Sequence, residues 1–180
     1  VCWHLLEGSI VRGSRWRDVS YNGKTYDLKH LHPFSFQTTL NGVAVNISVV
    51  FSNHCFTDKK GDGQPLFGDR YFCEARYQCS LNLPRLLQEH LVNGHVVPHF
   101  DKGSNEVYYY AAIHDYAVFF DLRPDRGSPG GLTLFVSSAY EVDQWGKDTM
   151  PRGKAVKFNY IGYLRLNGLT YLPLRKQKRR

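Results

Sequence analysis

At 180 residues, with 42% apolar and 14% aromatic side chains, the chain has the size and composition of one ordinary globular domain and excludes a disordered or fibrous protein. No apolar run approaches the ~18 residues of a membrane-spanning helix, and the opening VCWHLLEGS has neither the basic start nor the apolar block of a signal peptide. The formal charge of +7 is local: residues 151–180 carry +9, residues 101–150 carry −4, and RKQKRR at 175–180 supplies five positive charges by itself, so the basic pI alone does not establish a polyanion partner.

In chain order, Tyr21-Asn22-Gly23-Lys24 is a hairpin signal, because Asn-Gly accepts positive φ at little cost. Phe34, Phe36 and Thr38 alternate with polar residues, and Asn41-Gly42 marks a second hairpin. VAVNISVVF, residues 43–51, has the cleanest alternation in the chain: Val43, Val45, Ile47, Val49 and Phe51 share one face of a strand. That strand delivers Ser52, Asn53 and His54 to a rim. DKKGDGQPLFGDR reads as a surface loop, and residues 71–77 as a short strand or turn. Leu83, Leu86, Leu87 and Leu91 form the apolar stripe of a helix over residues 83–92, with Pro84 in its first turn and Asn93-Gly94 ending it.

The second half reads as strands at 106–112, 116–122, 132–140 and 155–164, with an edge strand at 171–174. Short links favour an antiparallel meander. The expected architecture is α+β: a strand-rich single domain over residues 1–174, with a curved antiparallel sheet and at least one packed helix. Residues 1–42 read as an N-terminal hairpin extension and residues 175–180 as a flexible basic tail.

The stretch FSNHCFTDKKGDG holds the first chemical candidate. An imidazole at a strand tip can take a hydroxyl proton and return one, which suits His54 to phosphodiester chemistry; the alternative is a hydrogen bond to a carbonyl. Alternation on a strand points His54 and Cys55 to opposite faces, so the pair is not a nucleophile with its base, and Cys55 reads as core. Cys2, Cys55, Cys73 and Cys79 contain no CxxC and read as separate reduced thiols. HExxH is absent, and His30-x-His32 and the Asp58/Asp62 loop lack a full ligand series, so no metal or other cofactor is expected.

Arg70 and Arg76 offer guanidinium forks suited to a phosphate and to the charge that grows in its transition state. Ser138 and Tyr140 end the strand LTLFVSSAY on the parity of Leu132, Leu134 and Val136, where an apolar face turns hydroxylic. Lys154, Lys157 and Arg165, placed among strand-like residues, and Arg175 and Lys176 of the tail are candidate phosphate contacts. Tyr108, Tyr109 and Tyr110 alternate faces and serve either base stacking or cross-strand packing.

A helix followed by YAVFFDL, LTLFVSSAY, GKAVKFNYI and a basic end resembles the RelE/ParE and barnase-EndoU-colicin-like group of small ribonuclease domains, over roughly residues 50–165. The resemblance implies a helical element on a curved antiparallel sheet, metal-independent cleavage of RNA by its own 2′-hydroxyl, a cytoplasmic toxin, and an antitoxin or immunity protein as partner. It implies His54 as base, Arg70, Arg76 or Lys157 on the phosphorane, and Tyr140 or a histidine at the leaving group. The alternatives from other classes are a noncatalytic nucleic-acid-binding protein and a protein-interaction domain using the acidic residues 101–150.

Overall fold

The computed structural model describes residues 15–61, 64–101, 106–113, 116–142 and 150–171. The chain first makes a small hairpin, β1 (Val19–Tyr21) and β2 (Lys24–Tyr26). Asn22 and Gly23 turn it at φ 49° and 72°, the left-handed conformations that this dipeptide tolerates. β3 (Phe34–Leu40) and β4 (Val43–Phe51) form the second hairpin, around Asn41 and Gly42 at φ 50° and 84°. A one-turn 3-10 segment, Asn53–Cys55, leads into β5 (Thr57–Asp58), which pairs with β6 (Tyr71–Phe72) across the polar loop.

Helix α1 (Glu74–Ser80) follows, then α2 (Leu83–Leu86), which continues as a π-helical turn over Leu87–Leu91. The predicted helix at 83–92 is present but widened, and α1 occupies residues where only a short strand or turn is expected. The meander then runs through β7 (His95–Asp101), β8 (Glu106–Ile113), β9 (Tyr116–Pro124) and β10 (Leu132–Glu141). β11 (Val156–Lys157) and α3 (Phe158–Leu166) complete it.

The main sheet has seven strands in the order β11-β7-β8-β9-β10-β4-β3. Every pairing is antiparallel except β10 with β4, which run parallel because the chain leaves β4 and returns through the helices and the meander. The fold is α+β, one strand-rich domain with a curled, mainly antiparallel sheet and packed helices. Residues 34–40, assigned by sequence to an N-terminal extension, are the edge strand of this sheet. The hairpin β1-β2 is a separate small sheet whose Tyr26 packs on Phe72 and Tyr77.

The inward face of β4 is buried throughout from Val45 to Phe51, and burial of each such side chain is worth roughly 1.5–3 kcal/mol. It meets Leu132, Leu134 and Val136 of β10, Leu83, Leu87 and Leu91 of the second helical segment, and Phe158 and Ile161 of α3 in one apolar core. Helix α3 touches β3, β9, β10 and β11, reaching from one edge strand to the other. Gly162 makes this approach possible: a Cβ there would lie 2.7 Å from Leu40 Cδ1. The strand expected over 155–164 is therefore corrected to a two-residue strand and a helix. Phe158, Ile161 and Gly162 are buried at helical spacing, which overrides the strand preference of the local aromatics. Of the edge strand expected at 171–174, Tyr171 is not in a strand and the rest lies outside the described residues.

The face opposite α3 carries a second, smaller apolar cluster: Ala117, Phe119 and Val142, packed by Tyr108, Tyr110, Tyr140 and Met150. Tyr109 points into the main core, as the alternation of the three tyrosines requires.

Candidate functional site

The site is built on the turn that ends β4. Ser52 N–H bonds to Val136 C=O and its hydroxyl donates to Ser137 C=O at 2.6 Å, while the same oxygen accepts from His54 N–H. Ser52 thereby caps the 3-10 turn and locks it to β10. At Asn53 and His54 the backbone carbonyls lie outside any ladder, and buried polar groups need partners. The Thr57 hydroxyl donates to Asn53 C=O at 2.7 Å; Arg76 Nη1 donates to His54 C=O at 3.0 Å; Arg70 Nη2 donates to Thr57 C=O at 2.7 Å and its Nε to the Thr57 hydroxyl at 2.8 Å. Two guanidinium groups thus converge on five consecutive residues.

Arg76 comes from α1, with Nη2 3.4 Å from Asp58 and its guanidinium carbon 4.8 Å from the centre of the Tyr140 ring. The four residues singled out for chemistry, His54, Arg70, Arg76 and Tyr140, therefore belong to one locale. Tyr140 reaches it for a reason that parity alone misses. A bulge between Val136 and Ser138 shifts the register of β10 against β9, so Ser138 pairs with Phe119 and Tyr140 with Ala117. Ser138 and Tyr140 consequently lie on the face opposite Leu132, Leu134 and Val136, not on the same face.

His54 is half-buried, and its pKa is lowered from 6.5 to about 4, first by burial and then by the charges of Arg70, Arg76 and Lys59. It is neutral at physiological pH. Burial raises and Arg76 lowers the Asp58 pKa; the arginine, with the N–H groups of Lys59 and Lys60, prevails, and Asp58 stays ionised. Burial, then Arg76, disfavours the Arg70 cation relative to a free guanidinium. Lys59 pairs with Asp69 at 3.0 Å on the exposed side.

Cys55 is fully buried, its thiol 3.9 Å from Val136 C=O and pushed up to about 12 by burial, so it is packing and not a nucleophile. His54 and Cys55 diverge as expected, although a 3-10 turn and not a strand separates them. Cys55, Cys73 and Cys79 are free thiols, and Cys2 lies outside the described residues. His30 bonds to the Ser80 hydroxyl and His32 to Trp16 C=O, which accounts for both members of the HxH pair. Among the described residues no three His, Cys, Asp or Glu side chains cluster as a metal site.

The remaining predicted contacts are dispersed. Ser138 is 2% exposed and offers nothing to a nucleic-acid strand. Arg165 lies on α3, donates to Leu122 C=O at 2.7 Å and also bonds to Thr170, which makes it a tie between helix and sheet. Lys154 and Lys157 are exposed beside and on β11, at the far end of the sheet order from β4. Arg175, Lys176 and the His114-Asp115 link lie outside the described residues.

Sequence reasoning missed Thr57 and Asp58 as the groups that orient the arginines. It also missed that Asn53 is fully buried with neither amide atom hydrogen-bonded. Tyr116, whose hydroxyl is likewise buried and unpaired, lies close enough to Arg76 for its charge to act on it. Orphaned polar groups at a strand tip are the kind of cost that functional sites carry.

The model of the YjaZ family matches residues 18–164, which takes in the whole sheet and this turn. The chain belongs to the YjaZ family. No curated protein and no solved structure matches it. The family match carries no activity with it, so function rests on the geometry.

Proposed function

We infer that this YjaZ-family chain is a metal-independent endoribonuclease whose centre is the turn after β4. The observation that carries this reading is the convergence of His54, Arg70 and Arg76 on one turn, with Tyr140 under the second guanidinium. In the proposed reaction a phosphodiester settles against the Arg76 guanidinium, while the buried Arg70 acts through its charge and holds the turn at Thr57, and His54, already unprotonated, takes the proton of the adjacent 2′-hydroxyl. The 2′-oxygen attacks phosphorus, the P–O5′ bond breaks, and the leaving oxygen takes a proton from Tyr140, whose pKa burial raises. The products are a 2′,3′-cyclic phosphate and a 5′-hydroxyl end. An arriving phosphate also offsets the arginine charges that lower the His54 pKa, making it a stronger base when substrate is bound.

One observation favours noncatalytic RNA binding instead. Both arginines already spend donors on the turn's own carbonyls, and an imidazole with a pKa of about 4 is a weak base. RNA is the partner in both readings; a cytoplasmic toxin paired with an antitoxin or immunity protein belongs only to the first. The test is incubation of mixed RNA and DNA strands with the chain in EDTA, alongside folded His54→Ala. The enzyme reading expects RNA cleavage alone, with loss of about 10²–10⁴-fold in the variant. RNA retention without cleavage over a broad pH range selects binding, and neither retention nor cleavage rejects both.

A further inference from the structure

The main sheet ends on β3, and its outer edge is uncovered along most of its length among the described residues. The two-residue Asn41-Gly42 turn makes Leu40 and Val43 a hydrogen-bonded closing pair. With a period of 2, Phe34, Phe36 and Thr38 also bond inward to β4, while Ser35, Gln37 and Thr39 direct N–H and C=O outward. Asn159 of α3 confirms the direction independently, its amide reaching Thr39 C=O from outside β3 at 3.5 Å. Helix α3 thus covers the Thr39 end and leaves the backbone of Ser35 and Gln37 unpaired among the described residues.

Natural edge strands are protected by charge, proline or a bulge. β3 has none of these: FSFQTTL contains no charged residue and no proline, and its register with β4 is unbroken. The absence of charge extends to all 27 residues from 31 to 57, in a chain that is 22% charged, although Ser35, Gln37, Thr39 and Ala44 are exposed. A surface depleted of charge beside an open row of backbone donors and acceptors has the composition of an interface core.

We propose that β3 is a dimerisation edge, on which a second copy of this chain pairs antiparallel about a two-fold axis through Phe36. In that register Phe36 faces its own copy, Ser35 and Gln37 exchange their free backbone hydrogen bonds, and Phe34 faces Thr38. Every opposed pair is uncharged, so the strand meets itself without like charges in contact. Phe34 and Phe36, stacked at 6.1 Å and half-buried, are brought under cover by the added strand. The outward direction of the Gln37 N–H also fixes the test. Gln37→Pro removes an intermolecular hydrogen bond and leaves the β4 ladder intact, whereas Gln37→Lys sets two like charges diagonally across the seam on one face. Sedimentation velocity of the whole chain over a wide concentration range should give a dimer whose Kd rises at least about tenfold in each variant, with unchanged far-UV circular dichroism. A wild-type chain that stays monomeric at every concentration, a dimer that Gln37→Lys leaves intact, or an assembly only with a different protein overturns the proposal.

Discussion

Replacing His54 with Asn tests the electrostatics of the site through stability alone. Above pH 6.5 the imidazole is neutral in folded and unfolded chains and contributes no pH dependence. As pH falls below 6.5 the unfolded chain takes up a proton that the folded chain refuses until about pH 4, so the native state loses stability across that window. A pKa of about 4 against 6.5 corresponds to roughly 3 kcal/mol at ~1.4 kcal/mol per tenfold, and partial solvent access brings the expectation to about 2 kcal/mol. Asp58 and Asp69, whose pKa values are lowered, also lose stability on acidification, but they do so in both proteins and cancel in the difference. Urea unfolding at pH 7 and near pH 4.5 is the assay. His54→Asn should lose less stability on acidification than the wild type, by about 2 kcal/mol. Parallel losses in the two proteins would refute the placement of a desolvated imidazole beside two cations.

Other perturbations probe the parts separately. Arg76→Lys keeps the charge but loses the fork that reaches both His54 C=O and Asp58; urea unfolding should show a loss of about 1–3 kcal/mol, and Arg76→Ala a larger one. Asn53→Leu removes a fully buried amide with no partner and should raise the melting temperature by a few degrees, equivalent to about 1–2 kcal/mol, while reducing RNA retention. Arg165→Gln should cost about 1–2 kcal/mol by freeing α3 from Leu122 and leave RNA retention unchanged, which separates this structural arginine from the site.

Sequence periodicity was most informative where one local rule decided the structure. Both Asn-Gly turns take the positive φ values their chemistry favours, β4 buries the predicted alternation from Val45 to Phe51, and the strands expected at 106–112, 116–122 and 132–140 form, whereas β7, the first strand of the meander, has no counterpart in the expectation. It failed where distant packing decided. The aromatics at 158–163 have strand preference, yet Phe158, Ile161 and Gly162 also satisfy helical spacing, and the curled sheet offers a helix its place. The parallel β4-β10 pairing depends on where a chain of some eighty intervening residues returns, which short links do not encode. For the candidate site, residue type pointed to His54, Arg70, Arg76 and Tyr140, which the structure brings into one locale. The β10 bulge, the capture of Arg70 by Thr57 and the isolation of Asn53 are tertiary facts with no local pattern.

The most direct test is the pH dependence of RNA cleavage in EDTA by the wild-type chain and folded His54→Ala, with product ends identified by mass spectrometry. The proposed mechanism predicts 2′,3′-cyclic phosphate ends and protection of strands carrying a 2′-deoxy group at the cleaved position. It also predicts a rate that holds below pH 6 and falls toward pH 4 or somewhat above, according to how far bound phosphate raises the lowered His54 pKa of about 4. Absence of cleavage at every pH, or cleavage that His54→Ala leaves unchanged, would contradict it.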